Sequence, residues 1–530
     1  MAGFGHIMKR YPVGIQTFSE IIKGGYVYVD KTDLVWKLQR YAKFIFLSRP
    51  RRFGKSLLAT TLHSFFTGQK DLFNGLKIMQ YEKDWMQYPV IHLDLSTVKG
   101  QGAADDLRKM LFFLMMPLRK IYGEEGEASP GMMLAGLIRR AYEQTGKQVV
   151  VLIDEYDTPL LDVLHDNTLL EAYRNVLQEF YQPLKASEAM LRFCFLTGIT
   201  RLSQMSVFST LNNLLNITMD PQFAAICGIT GTELKSQLFS DVESLAATLG
   251  YTKEETWERL KLKYDGYRFA QGGEEVYNPY SLFQAFQLKS MGNYWFESGT
   301  PTFLIRQMQK FGTDITAMDD IEATATAMYR PAETMTTALP LLYQAGYLTI
   351  KGYDRETDTY MLGVPNQEVR VGFADGLLPA YVGLEGDAVQ MGFAKKFWLA
   401  LKKNDLDGAF RELQAYLAGL PYVEGFKKKH ENVSDYEGFY EWTFYLIFTM
   451  LNVYAKTQVK CAGGRIDMVV HMPETVYVFE LKLNGSAKDA LDQIDRKGYA
   501  VQYQTNKRKL VKAGLSFSSE TKTLTDWTIV

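Results

Sequence analysis

Phe44-Ile45-Phe46-Leu47-Ser48-Arg49-Pro50-Arg51-Arg52-Phe53-Gly54-Lys55-Ser56 is the stretch that decides the fold. Its first four residues are an uninterrupted apolar run, the pattern of a strand covered on both faces of a parallel sheet. A loop follows, closed by Gly-Lys-Ser, and Ser56–Phe66 has the spacing of an amphipathic helix. Strand, loop and helix in that order turn main-chain N–H groups and the positive end of a helix dipole toward an anion. Lys55 would reach the β- and γ-phosphates of ATP, and the Ser56 hydroxyl would bind Mg²⁺. The run Arg52, Phe53, Gly54, Lys55, Ser56 and Leu57 is the candidate nucleotide-binding stretch. Gly-Lys-Ser alone is a weak string, and the first glycine of GxxxxGK[ST] is Arg49 here, so the loop entrance needs a different backbone shape.

The rest of such a site follows downstream. Val149–Ile153 is a second apolar run and ends in Asp154-Glu155. Asp154 would hold Mg²⁺ through water and Glu155 would polarise the attacking water. Alone, an acidic pair at a strand end reads as a solvated tip or a helix cap; after a P-loop and an intervening strand (Val90–Leu95), it reads as the second half of the site. A third run, Phe193–Leu196, ends in Thr197, the candidate sensor of the γ-phosphate. A fifth strand is expected near Leu214–Thr218. Arg201 either stabilises transition-state charge or is a surface arginine. Arg51 and Arg52 either contact phosphate or a neighbouring subunit, or line a solvated loop.

Composition sets bounds. A chain of 530 residues exceeds one core, so three or four domains are expected. The net charge of −1 supplies no global attraction to nucleic acid, which leaves local patches to do so. Cys194, Cys227 and Cys461 are far apart, and the six histidines show no metal-ligand spacing, which argues against a disulfide framework or a zinc site and for a reducing, cytoplasmic compartment. No signal-peptide core and no apolar run long enough to span a membrane are visible.

The C-terminal part carries a different set of carboxylates. Gly464-Arg465-Ile466-Asp467-Met468-Val469-Val470 and Val476-Tyr477-Val478-Phe479-Glu480-Leu481-Lys482 read as a hairpin. With a four-residue loop over Met472–Thr475, Asp467 lies opposite Glu480, and Lys482, two residues on, shares its face. Asp467, Glu480 and Lys482 would then hold one or two Mg²⁺ ions beside a scissile phosphate. A slip of one residue destroys the arrangement. Asp220 with Glu233-Leu234-Lys235 has the same spacing, but Thr232-Glu233 looks like a helix start. Tyr436–Leu451 reads as a helix carrying Glu437 and Glu441 one turn apart; Glu437 is the candidate further ligand, against a solvated helix face. Gln493 and Lys497 on a helix over Ser486–Tyr499 face either the DNA backbone or the lysine, or simply solvent.

These strings, with Tyr28-Val29-Asp30-Lys31-Thr32, Ile153-Asp154-Glu155-Tyr156-Asp157, Tyr264-Asp265-Gly266-Tyr267 and Ala490-Leu491-Asp492-Gln493-Ile494, resemble the bacterial AAA-ATPase-like proteins that carry a C-terminal PD-(D/E)xK nuclease-superfamily domain. The resemblance covers nearly the whole chain, and in that family the P-loop ordinarily lacks its first glycine. It implies an α/β fold: a P-loop NTPase (ASCE/AAA-like) parallel sheet, a helical lid, a winged-helix-like region, and a restriction-endonuclease-like α/β domain. The expected division is 1–231 ATPase, 232–330 lid, 331–374 winged-helix-like (or an ordinary small α+β subdomain), 375–430 helical connector and 431–530 nuclease-like. Thr334–Tyr347 is the helix expected before the wing. The implied partners are ATP and DNA, with RNA not excluded, no membrane, and a homo-oligomer as an option. Defence against phage or mobile elements is the setting implied. A non-cutting ATPase switch, whose nuclease-like domain only binds nucleic acid or a protein, is the alternative.

Overall fold

The computed structural model describes residues 10–98, 102–164, 166–200, 213–298, 302–313, 318–330, 335–382, 393, 396–397, 399–419, 443, 446–447, 454–461, 463–472, 474–504, 508–521 and 523–530. The chain divides into two compact units, Met1–Trp295 with Glu322–Asn366, and Phe296–Ile321 with Gln367–Val530.

In the first unit the apolar runs become β1 (Phe44–Ser48), β2 (Val90–Asp94), β3 (Val149–Asp154), β4 (Leu191–Gly198) and β5 (Leu215–Asn216). All pairings are parallel, in the order β2-β3-β4-β1-β5. Helix α1 (Lys55–Phe66) lies on one face, where Phe66 meets Phe193 with ring centroids 5.2 Å apart. Helices α2 (Ala104–Tyr122), α3 (Pro130–Thr145) and α4 (Asn167–Ala186) bury Leu111, Leu137 and Leu177 in the core shared with Ile91, Val151 and Ile153. Each such fully buried side chain contributes roughly 1.5–3 kcal/mol. Two covered faces explain why the inner strands β1, β3 and β4 are near-continuous apolar runs, whereas the edge strand β2 alternates buried with half-buried positions. The order also places β4 between the P-loop strand and the acid strand, so Thr197 stands between the two halves of the candidate site.

Beyond the sheet, β6 (Ile229–Thr230) leads into α5 (Gly231–Gln237), α6 (Phe239–Leu249) and α7 (Lys253–Tyr264), then β7 (Val276–Tyr277) and α8 (Pro279–Leu288). Leu234, Val242, Leu260 and Phe286 form their core, and Tyr11, Val13, Val27 and Val29 pack against it. The region is therefore composite, completed by the N-terminal segment. Glu233 sits in a capping box with Thr230, and Asp220 caps the short helix Pro221–Phe223. The second Asp…Glu-x-Lys string is thus spent on helix ends, with Thr230 rather than Thr232 as the cap.

Strand β8 (Ile321–Ala323), helix α9 (Leu339–Gln344), β9 (Thr349–Asp354) and β10 (Thr359–Gly363) follow, with β9 and β10 antiparallel and the sheet order β8-β10-β9. Helix then hairpin is the expected order, but the helix is shorter than Thr334–Tyr347. Pro340 occupies its first turn, where a missing N–H costs nothing, and excludes a longer helix running through it.

In the second unit α10 (Leu406–Ala418) precedes β11 (Tyr454–Cys461), β12 (Gly464–His471), β13 (Thr475–Leu483), α11 (Ala487–Arg496), β14 (Lys509–Phe517) and β15 (Leu524–Ile529). The sheet order is β11-β12-β13-β14-β15, with only β13 and β14 parallel, joined through α11. A Cβ on Gly514 of β14 would lie 2.1 Å from the Ala487 carbonyl oxygen, so a glycine is what lets α11 approach the sheet this closely. The expected hairpin is β12–β13, and the sheet extends beyond it on both sides. Edge strands β11 and β15 were hidden because their residues mix polar with apolar. Glu437 and Glu441 lie outside the described residues. No helix among the described residues is long and apolar enough to cross a membrane.

Candidate functional site

At the C-terminal end of the parallel sheet, the loop after β1 turns through Arg52 (φ 68°) and Gly54 (φ 93°) into α1. No side chain caps this helix start, so the N–H groups of its first turn, including Ser56 and Leu57, have no helical acceptor. Lys55 is 4% exposed, and its Nζ donates to the Pro50 carbonyl at 3.2 Å, folded across the loop. The Ser56 hydroxyl lies beside the Asp154 carboxyl at the tip of β3 and favours its charged form. Burial pushes the Asp154 carboxyl up to about 6, with Asp94 and Glu155 adding to the rise and the Ser56 hydroxyl and the Lys55 charge opposing it.

Glu155 follows in the left-handed region at φ 49°, a conformation that costs a glutamate about 1–2 kcal/mol and is usually kept for function. Its N–H donates to Asp154 Oδ1 at 2.9 Å, and Thr158 Oγ1 donates to Glu155 Oε2 at 3.0 Å. Thr197 lies beside Leu47 in the β1–β4 register and is fully buried; its hydroxyl has no hydrogen-bond partner among the described residues. An open helix start, a buried lysine, a Ser–Asp pair and an orphaned buried hydroxyl at one sheet end form a donor set that fits a nucleotide phosphate chain with its cation.

Three P-loop side chains turn away from that cradle. Arg49, 1% exposed, donates to the carbonyls of Ser48 (2.9 Å), Thr218 (2.9 Å) and Phe223 (3.1 Å), and its guanidinium lies 4.3 Å from the Phe269 ring centre. Arg52 sits 3.8 Å over the ring of Tyr280 and donates to the Tyr294 carbonyl at 2.8 Å. Phe53 packs edge-on against Tyr267 and Phe269. For Arg52 and Phe53 this leaves the backbone, not the side chain, on the phosphate side of the loop.

The second candidate site stands on the β12–β13 hairpin. Met472 N–H donates to the Thr475 carbonyl at 2.8 Å, and the register runs from His471↔Val476 to Met468↔Phe479. One further step sets Asp467 opposite Glu480, as the four-residue loop predicts. There the two strands part, and Asp467 Oδ2 accepts the Leu481 N–H at 2.8 Å. Glu480 is 1% exposed, and Lys482 Nζ is 4.0 Å from its Oε1. From α11, Gln493 Nε2 donates to the same Oε1. Tyr499, buried and hydrogen-bonded with Gln493, backs this contact; burial raises its phenol, and the carboxylates of Glu480 and Asp467 add to the rise. Lys497 is exposed. Among the described residues no group of three or more His, Cys, Asp or Glu converges. A pair of carboxylates fits Mg²⁺, which takes one or two from protein and the remainder from water and phosphate.

Three residues near these sites escape a sequence reading. Asp94 pairs with Asp154 across β2 and β3; it was hidden in an expected strand, although an acid at the C-terminal end of a parallel strand was the available signal. Asp157 accepts hydrogen bonds from the loop after β4. Tyr499, three residues past the end of α11, gave no sign in the sequence of what it would touch.

Fold and site together define a P-loop ATPase-type domain followed by a nuclease-type domain. The family described as Predicted AAA-ATPase matches residues 12–208, and the PD-(D/E)XK nuclease superfamily matches residues 435–527. An Azotobacter chroococcum mcd 1 protein, described as "Uncharacterized protein in vnfD 5'region", is 33% identical over 529 residues, covering 98% of this chain and 99% of its own length. The chain belongs to the family of AAA-ATPase-like proteins with a C-terminal PD-(D/E)XK nuclease-superfamily domain.

Proposed function

We propose that the protein binds and hydrolyses ATP and that its nucleotide state regulates a Mg²⁺-dependent nuclease domain acting on DNA, in a cytoplasmic role in defence or mobile-element biology. The observation that supports this reading is the assembly of two acid sets: Lys55, Ser56, Asp154, Glu155 and Thr197 at the end of the parallel sheet, and Asp467, Glu480 and Lys482 on the β12–β13 hairpin. In the first, the backbone of 52–57 and Lys55 bind the phosphates, Ser56 and Asp154 hold the cation, Glu155 orients and polarises water, and Thr197 donates to the γ-phosphate. In the second, Asp467 and Glu480 hold the cation, with Glu437 as the candidate further ligand, and Lys482 positions or deprotonates water. Bound there, Mg²⁺ supplies charge stabilisation and lowers the pKa of water. Coupling would start at Arg49, Arg52 and Phe53, whose side chains pass from the P-loop to Phe269, Tyr280 and Tyr267. The domain limits proposed are 1–231, 232–330, 331–374, 375–430 and 431–530.

The test is plasmid DNA with Mg²⁺ or Mn²⁺, with and without ATP, for wild type, Lys55→Ala and Glu480→Ala. Cleavage that needs Glu480 and responds to ATP only when Lys55 is present supports the reading. No cleavage by wild type under any condition favours the non-cutting switch, and ATP binding by Lys55→Ala at wild-type affinity removes the phosphate assignment.

A further inference from the structure

Asp157 is a fully buried carboxylate two residues past the acid that orients water, and the proposed hydrolysis gives it no role. Its Oδ2 takes three donors: Ile199 N–H at 3.1 Å, Thr200 N–H at 2.7 Å and Thr200 Oγ1 at 2.7 Å. Its Oδ1 shares the Ile199 N–H at 3.3 Å. The approach is so close that a Cβ on Gly198 would lie 2.3 Å from Oδ1, which only a glycine at 198 permits. Tyr156 reinforces the join. Its N–H donates to the Thr197 carbonyl at 3.2 Å, and its hydroxyl donates to the Thr200 carbonyl at 2.7 Å. The tetrapeptide after β3 is thus divided in labour: Asp154 and Glu155 face the phosphate end of the sheet, while Tyr156 and Asp157 grip the segment 197–200.

That segment carries Thr197, whose hydroxyl is buried and has no partner among the described residues. Its position is set by the backbone, and the backbone on its C-terminal side is held by Asp157. Burial pushes the Asp157 carboxyl up, and the Thr200 donors together with the Lys55 charge offset only part of that rise. An amide can keep one oxygen for the three donors at Oδ2, but its NH2 then faces the Ile199 N–H that Oδ1 shares, which works against that N–H and loosens the join.

We propose that Asp157 is a positioning residue for ATP hydrolysis, the latch that makes the Glu155 loop and the Thr197 loop one rigid geometry, so that contact with the γ-phosphate and orientation of water are set together. This rests on the ATPase reading above. A loop that serves only to hold the fold would affect all nucleotides alike. A latch between sensor and base affects ATP and not ADP.

The test uses the full-length protein as wild type, Asp157→Asn, Thr197→Val and the double substitution. Thermal unfolding, affinity for ADP and for a non-hydrolysable ATP analogue, and ATP turnover with Mg²⁺ are measured. The expected result for Asp157→Asn is cooperative unfolding, unchanged ADP affinity, loss of the preference for the ATP analogue, and kcat reduced about 10- to 100-fold. Thr197→Val is expected to match it, and the double variant to be no worse than either single one, the signature of one coupled unit. Wild-type turnover and preference in Asp157→Asn overturn the proposal, as does parallel loss of ADP affinity and stability, or simple additivity with Thr197→Val. Should Asp157→Asn not fold, Thr200→Val removes one donor only: a smaller loss in the same direction supports the latch, and unaltered kinetics overturn it. A wild type that binds neither nucleotide brings down the ATPase reading and this inference together. An active wild type with an unaffected Asn variant brings down this inference alone.

Discussion

The two candidate sites are built in opposite ways. The nucleotide site gathers residues from three strand tips far apart in sequence, held by side chain–backbone contacts both within a loop (Lys55 to Pro50, the Glu155 N–H to Asp154) and across loops (the Ile199 N–H to Asp157). The C-terminal site is local: one hairpin register and one helix supply Asp467, Glu480, Lys482 and Gln493. A parallel sheet fixes its site by strand order, which tolerates small end shifts. A hairpin fixes its site by register, where one residue of slip turns a carboxylate to the other face. The first should therefore fail by uncoupling of parts, the second all at once.

The largest expected effect breaks the local site alone. Glu480→Ala should lower metal-dependent DNA cleavage by about 1000-fold, the several kcal/mol that a metal's charge stabilisation is worth, while ATP turnover stays at wild type; gel cleavage and phosphate release on the same preparation check both halves. Lys55→Ala should do the converse, reducing ATP turnover by about 100- to 1000-fold, with basal cleavage in the absence of ATP retained. Gln493→Ala sharpens the contrast more gently. It leaves the carboxylates in place but removes the amide that orients Glu480, and an outer partner of this kind is worth about 10- to 100-fold in metal affinity or activity. A Mn²⁺ titration of cleavage rate reads it, and an unchanged midpoint and rate would separate Gln493 from the site.

The smallest effect concerns pH and the lid. Burial holds the Asp265 carboxyl up at about 6, against 3.8 for a free one. The folded state then binds more protons than the unfolded chain between those values. The stability contributed by this group is present below about pH 4 and lost as pH rises through about 6, a change on the order of 3 kcal/mol. Asp154 acts in the same direction, so the variant must be compared with wild type. Asp265→Asn should flatten the decline of melting temperature over this range; a parallel decline in both proteins would refute the assignment.

Much of this was legible in the sequence, for definite reasons. The inner strands of the parallel sheet, β1, β3 and β4, are buried on both faces and so announce themselves as apolar runs. The hairpin register followed from one assumed loop length, and Asp467 opposite Glu480 came with it. Edge strands β11 and β15 were not legible, since an edge has one wet side and its residues look like loop. Asp157 and Tyr499 were missed because their significance lies in what they touch: the backbone of 199–200 in one case, Gln493 in the other. Arg52 and Phe53 illustrate the reverse. Their sequence neighbours suggested ligand contact, but their side chains are directed to the lid by aromatic partners more than two hundred residues away.

Arg49 bears on how such a chain can be engineered or recombined. A redesign toward the commoner motif would place glycine there, and would strip the carbonyls of Ser48, Thr218 and Phe223 of their shared donor. The Phe223 carbonyl would keep the Ile226 N–H, but a buried acceptor that loses its last donor costs about 1–3 kcal/mol. The substitution that brings the string closer to consensus therefore takes the molecule further from stability. By the same token, a graft of this P-loop into another ATPase would have to bring the residue 218–223 turn and the Phe269 ring with it. The unit of inheritance is the loop together with the residues 218, 223 and 269 that receive its arginine.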